Sequence, residues 1–112
     1  MIDLIVGPDC KESNFSWGDA TPAVLGDFVV GNTIYAIRVV ILTVFNGVGA
    51  ALSVGVTGSP SLLMGVNECD PKMAGTYEVT PGYKLVGPAT IRLYITPGAG
   101  ATAGNGKIMI DY

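Results

Sequence analysis

The stretch "TIYAIRVVILTVFNGVGAALSVGV", residues 33–56, decides the fold. Its first half is apolar at nearly every position and rich in β-branched residues, as in a strand covered on both faces. Asn46-Gly47 then stands between two strand-like runs. That dipeptide is a strong hairpin signal, because a type I′ turn needs positive φ at both central residues. A two-residue loop there sets a register: Phe45 opposite Val48, Thr43 opposite Ala50, Ile41 opposite Leu52, Val39 opposite Val54, Ile37 opposite Val56. This side is apolar on both strands and is assigned to the core. On the other side Val44, Leu42, Val40 and Arg38 stand opposite Gly49, Ala51, Ser53 and Gly55. Val40, Leu42 and Val44 then form a shallow apolar shelf over small partners. A contiguous patch of this kind marks an interface, so these three residues are read as an oligomer interface. The alternative cover is the chain's own N-terminal segment.

Outward from this stretch the same pattern continues. Further strands are expected at residues 2–6, 25–30, 77–80, 83–86, 89–96 and 107–112, with 33–45 and 50–57 as the pair above. Segment 61–66, "SLLMGV", reads equally as a short strand or a helical turn. Gly7-Pro8, Gly31-Asn32, Gly58-Ser59-Pro60, Asp70-Pro71, Pro81-Gly82, Gly87-Pro88 and the run "PGAGATAGNG" supply turns between them. Helical periodicity is poor throughout, whereas period two recurs. About eight short strands with frequent turns predict an all-β protein, an antiparallel β-sandwich of jelly-roll type. Residues 1–11 are read as an N-terminal arm and 12–112 as the sandwich domain. Ile37, Val39, Ile41, Leu52, Val54, Ile91, Leu93, Ile95, Ile108 and Ile110 are the expected core.

The 112 residues suffice for one domain with its own core. Only 13% are charged against 49% hydrophobic, so part of the surface is expected to be covered by something other than water. Net charge is −3 with no basic run, which argues against a nucleic-acid partner. No stretch reaches the eighteen or so apolar residues that span a bilayer, so no membrane contact is expected. The opening "MIDLIVGPDC" lacks a charged region ahead of its short apolar run and does not read as an export signal. Cys10 and Cys69 are accordingly expected as reduced thiols in a chain made in the cytoplasm.

Reactive constellations are weak. The chain has no histidine, and its nine carboxylates are scattered over strand ends and turns, so no catalytic residue is assigned and no enzyme is expected. Neither cysteine has a histidine to activate it. "ATAGNGKI", residues 101–108, has Ala101 where a phosphate loop needs its first glycine. It also has Ile108 where a Ser or Thr must reach the metal. Asn67, Glu68 and Asp70 in "VNECDP" are too few oxygen ligands for calcium. No metal and no cofactor is expected. Arg92 and Tyr94 alternate away from Ile91, Leu93 and Ile95 and are expected on the exposed face; an aromatic platform there could hold a sugar, but a single exposed tyrosine on a sheet is ordinary.

"FSWGDATPAVLG", then "TVFNGVGAALSVGV", "GSPSLLMG", "AGTYEV" and a final "GNGKIMIDY" resemble, in their order, the small virion structural proteins of tailed bacteriophages. The resemblance covers most of the chain from Phe15 onward. It implies a non-enzymatic β-sandwich that forms a homotrimer and serves as a capsid decoration (cement) protein stabilising the assembled head. A head-fibre, neck or tail component, or a carbohydrate-binding module, are the alternatives. The implied partners are further copies of itself and the major capsid protein or other virion subunits, and the implied location is the virion. Residues 2–11 fall outside the resemblance, and the apolar Ile2, Leu4, Ile5 and Val6 are expected to form a capsid-docking arm.

Overall fold

A computed structural model describes residues 9–112 of the chain. Ten strands run in order: β1 Cys10–Ser16, β2 Ala23–Phe28, β3 Thr33–Ile34, β4 Ala36–Thr43, β5 Ala51–Val56, β6 Ser59–Met64, β7 Gly75–Val79, β8 Tyr83–Lys84, β9 Ala89–Thr96 and β10 Asn105–Asp111. A single 3-10 turn, Val66–Glu68, interrupts the β6–β7 connection. Eight strands form two four-stranded antiparallel sheets, in orders β1-β10-β4-β7 and β2-β9-β5-β6, and β3 pairs with β8 beside them. Links β1–β2, β4–β5, β6–β7 and β9–β10 each cross from one sheet to the other, which is the jelly-roll arrangement of two interlocked Greek keys.

The core lies between the sheets. Ile37, Val39 and Ile41 from β4 and Ile108 and Ile110 from β10 point inward on one side. Leu52 and Val54 from β5 and Ile91, Leu93 and Ile95 from β9 point inward on the other, and all ten are buried. These ten residues recur at every second position along their strands, so the inward set follows the period of two. Phe15 and Phe45 close one end of the core, their rings 6.2 Å apart, and Phe28 meets Tyr112 edge-on at 4.8 Å near the other.

The expected β4–β5 hairpin does not form. β4 lies between β10 and β7, and β5 lies between β9 and β6 in the opposite sheet. Asn46 does not adopt positive φ, as a type I′ turn would require. Its side chain serves instead as a clamp. Asn46 Oδ1 accepts the backbone N–H groups of Thr102 and Ala103 at 2.9 and 3.1 Å, and Nδ2 donates to Thr102 Oγ1 at 2.8 Å. Gly47 is needed for close approach, since a Cβ there would sit 2.1 Å from the Pro97 carbonyl oxygen. Ile41 and Leu52 are both in the core, but they belong to opposing sheets rather than to paired strands. A flat hairpin and a pair of facing sheets put the same residues inside, so alternation alone does not separate them.

Other differences are local. β1 carries "CKESNFS", which has no apolar alternation. It is held by pairing with β10, from Cys10↔Asp111 to Ser16↔Asn105. Cys10 and Lys11, expected at the end of the arm, are its first two residues. Lys11 sits on the inward-facing side of this edge strand and lies over Gly26 of β2. A charge pointing inward at an edge opposes pairing with further strands. Segment 61–66 resolves largely as strand, the last four residues of β6, and its final residue, Val66, opens the 3-10 turn. The expected strand 33–45 is broken at Tyr35 into β3 and β4.

Candidate functional site

The outer face of the β1-β10-β4-β7 sheet carries the predicted shelf. Arg38 sits at its centre, between Met109 of β10 and Glu78 of β7. Its guanidinium donates to Asp111 at 2.8 Å and to Glu78 at 3.2 Å, tying three strands together. The Asp111 hydrogen bond leads the effects that hold the Arg38 pKa above its ordinary value. One row along, Val40 stands between Lys107 and Thr76 and is half-buried. Its neighbours are thus polar side chains of β10 and β7, whereas the sequence reading places it opposite Ser53.

Beyond Val40 the surface turns apolar. The β10 register shifts between Asn105 and Gly106, which leaves Leu42 without a partner on β10. The β4–β7 ladder ends at Ile41↔Gly75. Leu42 is 61% exposed and Val44 40% exposed, and Met73, two residues before Gly75, is 62% exposed. Val48 and Trp17 are exposed at this same end of the sandwich, where four loops are laced together. Phe45 N–H donates to Pro71 O, Val48 and Ala99 exchange backbone hydrogen bonds, Trp17 N–H donates to Gly104 O, and Lys72 Nζ donates to Gly47 O. The shelf is therefore narrower than the sequence suggests at Val40 and continues onto the loop end through residues that alternation does not reveal. Met73, Val48 and Trp17 lie in loops, where period two carries no signal.

The opposite end carries a second apolar surface. Val56, Leu62, Tyr83, Leu85, Val86 and Pro88 line a groove with about 240 Å³ of open space. Val86 is 91% exposed, and Val29 and Val30 flank it at 63% and 61%. The turn carrying those two valines is held to the groove wall by Gly31 N–H to Leu85 O and Leu85 N–H to Asn32 O.

The remaining candidates are placed as follows. Glu68 and Asp70 are turned onto local backbone, accepting Gly65 N–H and Lys72 N–H respectively. No group of three or more His, Cys, Asp or Glu among the described residues is arranged to hold a metal. Arg92 and Tyr94 lie on the outer face of β9 and are half-buried, with Arg92 Nε unpaired. Cys10 is an exposed free thiol, and Cys69 a buried one whose pKa burial pushes up to about 12, with Asp70 adding to it. Among the described residues no helix is long and apolar enough to cross a membrane. The docking-arm residues Ile2, Leu4, Ile5 and Val6 lie outside the described residues.

No protein family and no curated protein matches the sequence. Among solved structures, the fold is that of a chain in the cyanophage Pam1 capsid asymmetric unit. The two superpose with a TM-score of 0.66 at 17% identity, over 98% of this chain and 88% of that one. A second likeness, to IMPa from Pseudomonas aeruginosa in complex with an O-glycopeptide, has a TM-score of 0.35 and 13% identity, covers 13% of that chain, and carries no argument.

Proposed function

We propose that this chain is a non-enzymatic structural protein of a bacteriophage virion. In this reading it is a capsid decoration (cement) protein that forms trimers and docks on the assembled head. The observation that carries the reading is the fold shared over almost its whole length with a chain of a cyanophage capsid asymmetric unit. The surface supports it. Leu42 and Val44, continued by Met73 and Val48, are large apolar side chains left in water at one end of the sandwich. Burying such side chains is worth roughly 1.5–3 kcal/mol each, a strong incentive to associate. In the trimer this patch packs against a neighbouring copy, with Val40 at its polar margin. The adjacent loop 97–106, rich in glycine and alanine, lies against the shell. A protein that binds only the assembled shell stabilises it by mass action and needs no reactive group.

Sedimentation tests the association. The native protein is expected to run as a trimer at micromolar concentration, and Leu42→Glu as a folded monomer. A native monomer ends the interface argument. Adding the purified protein to particles that lack it tests the docking: the expected result is stoichiometric binding and a higher melting temperature of the shell.

A further inference from the structure

Among the described residues each four-stranded sheet ends in two edge strands, β1 and β7 in one and β2 and β6 in the other. Three of these edges carry a feature that opposes further pairing. β1 points Lys11 inward. β2 breaks register between Val24 and Gly26. β6 breaks it between its partners Val54 and Val56 and carries Pro60. β7 differs. Its residues Gly75–Val79 run against β4 from Ile41↔Gly75 to Ile37↔Val79 without a register shift, and they include no proline and no inward charge. Thr76 and Glu78 stand on the outer face beside Val40 and Arg38. Tyr77 and Val79 follow Val39 and Ile37 to the inner face, where they are half-buried against the rim of the core. Gly75, Thr76 and Glu78 are exposed, so solvent reaches this edge.

We propose that β7 pairs antiparallel with β7 of a second copy, joining the two sheets edge to edge. The sequence of the strand selects the register. A two-fold axis normal to the sheet keeps inner residues opposite inner residues, so only registers that respect the period of two are open. Centred on Glu78, the pairing opposes Glu78 to Glu78 of the second copy, a like-charge contact. Centred on Thr76, it leaves Glu78 and Val79 unpaired. Centred on Tyr77, the whole strand pairs: Tyr77 faces Tyr77, Gly75 faces Val79, and each Glu78 faces a Thr76. The two tyrosines then form a cross-strand aromatic pair that carries the core rim across the axis. Arg38 stays bonded to Glu78 at 3.2 Å, which holds the carboxylate in the row that meets Thr76. In the decoration role this two-fold contact adds to the one at the Leu42 end and links neighbouring units over the shell. That last step rests on the decoration reading, whereas the pairing does not.

Two measurements on the full chain test the pairing. A contact of one strand per copy is small, so sedimentation equilibrium is followed up to about 1 mM, above the micromolar range in which the trimer is read. The native chain should associate further there. Thr76→Lys places a cation opposite Glu78 twice by symmetry and should tighten that association about fivefold at low salt. Thr76→Glu opposes like charges twice and should weaken it by a similar factor. The same two substitutions at Asn14, exposed on the opposite edge strand β1, should change nothing. Crosslinking reads the register. In a Cys10→Ser background, Thr76→Cys mixed with Glu78→Cys should oxidise mainly to the mixed disulfide, because those positions face each other. Either variant alone should crosslink about tenfold more slowly. No further association of the native chain, no ordering among the Thr76 variants, or a random mixture of disulfides would each overturn the proposal. Neither readout depends on trimer formation or shell binding, so failure here is distinct from failure of the decoration role.

Discussion

Asn46 separates two accounts of the β4–β5 connection, and substituting it decides between them. In a type I′ hairpin the residue supplies positive φ, so Asn46→Gly would be neutral or stabilising. In the structure it supplies three hydrogen bonds to Thr102 and Ala103, which join the β4–β5 loop to the β9–β10 loop. A typical intramolecular hydrogen bond contributes about 0.5–1.5 kcal/mol net. The three are solvent-exposed, so water recovers part of the loss, and Asn46→Ala should cost about 1–2 kcal/mol. Asn46→Gly should cost somewhat more, because the unfolded chain gains freedom. For a domain of this size that is a fall in Tm of roughly 4–10 °C. Asn46→Asp keeps the oxygen that accepts both N–H groups and should retain most of the stability. Thermal unfolding followed by circular dichroism, with urea titration for the free energy, measures all three. An Asn46→Gly protein as stable as the native one would refute the clamp and restore the hairpin.

Five further outcomes rest on the packing and the surface. Ile41→Ala and Leu93→Ala each empty a fully enclosed site and should cost about 2–5 kcal/mol in urea titration, whereas Ser53→Ala, which removes one hydroxyl from a buried position facing away from the core, should cost less. Gly106→Ala places a Cβ 2.1 Å from the Val40 carbonyl oxygen and 3.0 Å from Phe15 Cζ, so β10 must move off β4; a loss of about 1–3 kcal/mol is expected. Native protein should label at Cys10 with a thiol reagent while Cys69 reacts only after denaturation, and without prior reduction. Burial raises the Cys69 pKa from 9.0 to about 12 in the fold. Between those values the unfolded thiol ionises while the folded one keeps its proton, so stability contributed here is complete below pH 9 and falls as pH rises toward 12. Leu42→Glu should prevent the proposed trimer from forming without lowering the unfolding temperature of the single chain, because the side chain is in water there.

Period two by itself determined which residues are inside. Ile37, Val39 and Ile41, Leu52 and Val54, and Ile91, Leu93 and Ile95 alternate so regularly that any all-β arrangement must bury them together. Most of the turn residues separating these runs were equally legible, and with them the sandwich, though ten strands form among the described residues where about eight were expected. Which strands pair was not legible. Pairing of β4 with β10 and β7, and of β5 with β9, joins residues tens of positions apart, and no local signal encodes a partner at that distance. Asn46-Gly47 shows the consequence, since a dipeptide favourable for a hairpin was captured by a loop more than fifty residues away. β1 escaped notice because "CKESNFS" contains one buried apolar residue, Phe15, and owes its extended form to the open edge of β10. The exposed apolar residues divide in the same way. Leu42 and Val44 could be found by alternation because they lie on or just beyond a regular strand. Their continuation through Met73 and Val48, and the groove beside Val86, arise where loops from distant parts of the chain meet at the two ends of the sandwich. Only the folded arrangement of both sheets brings those loops together.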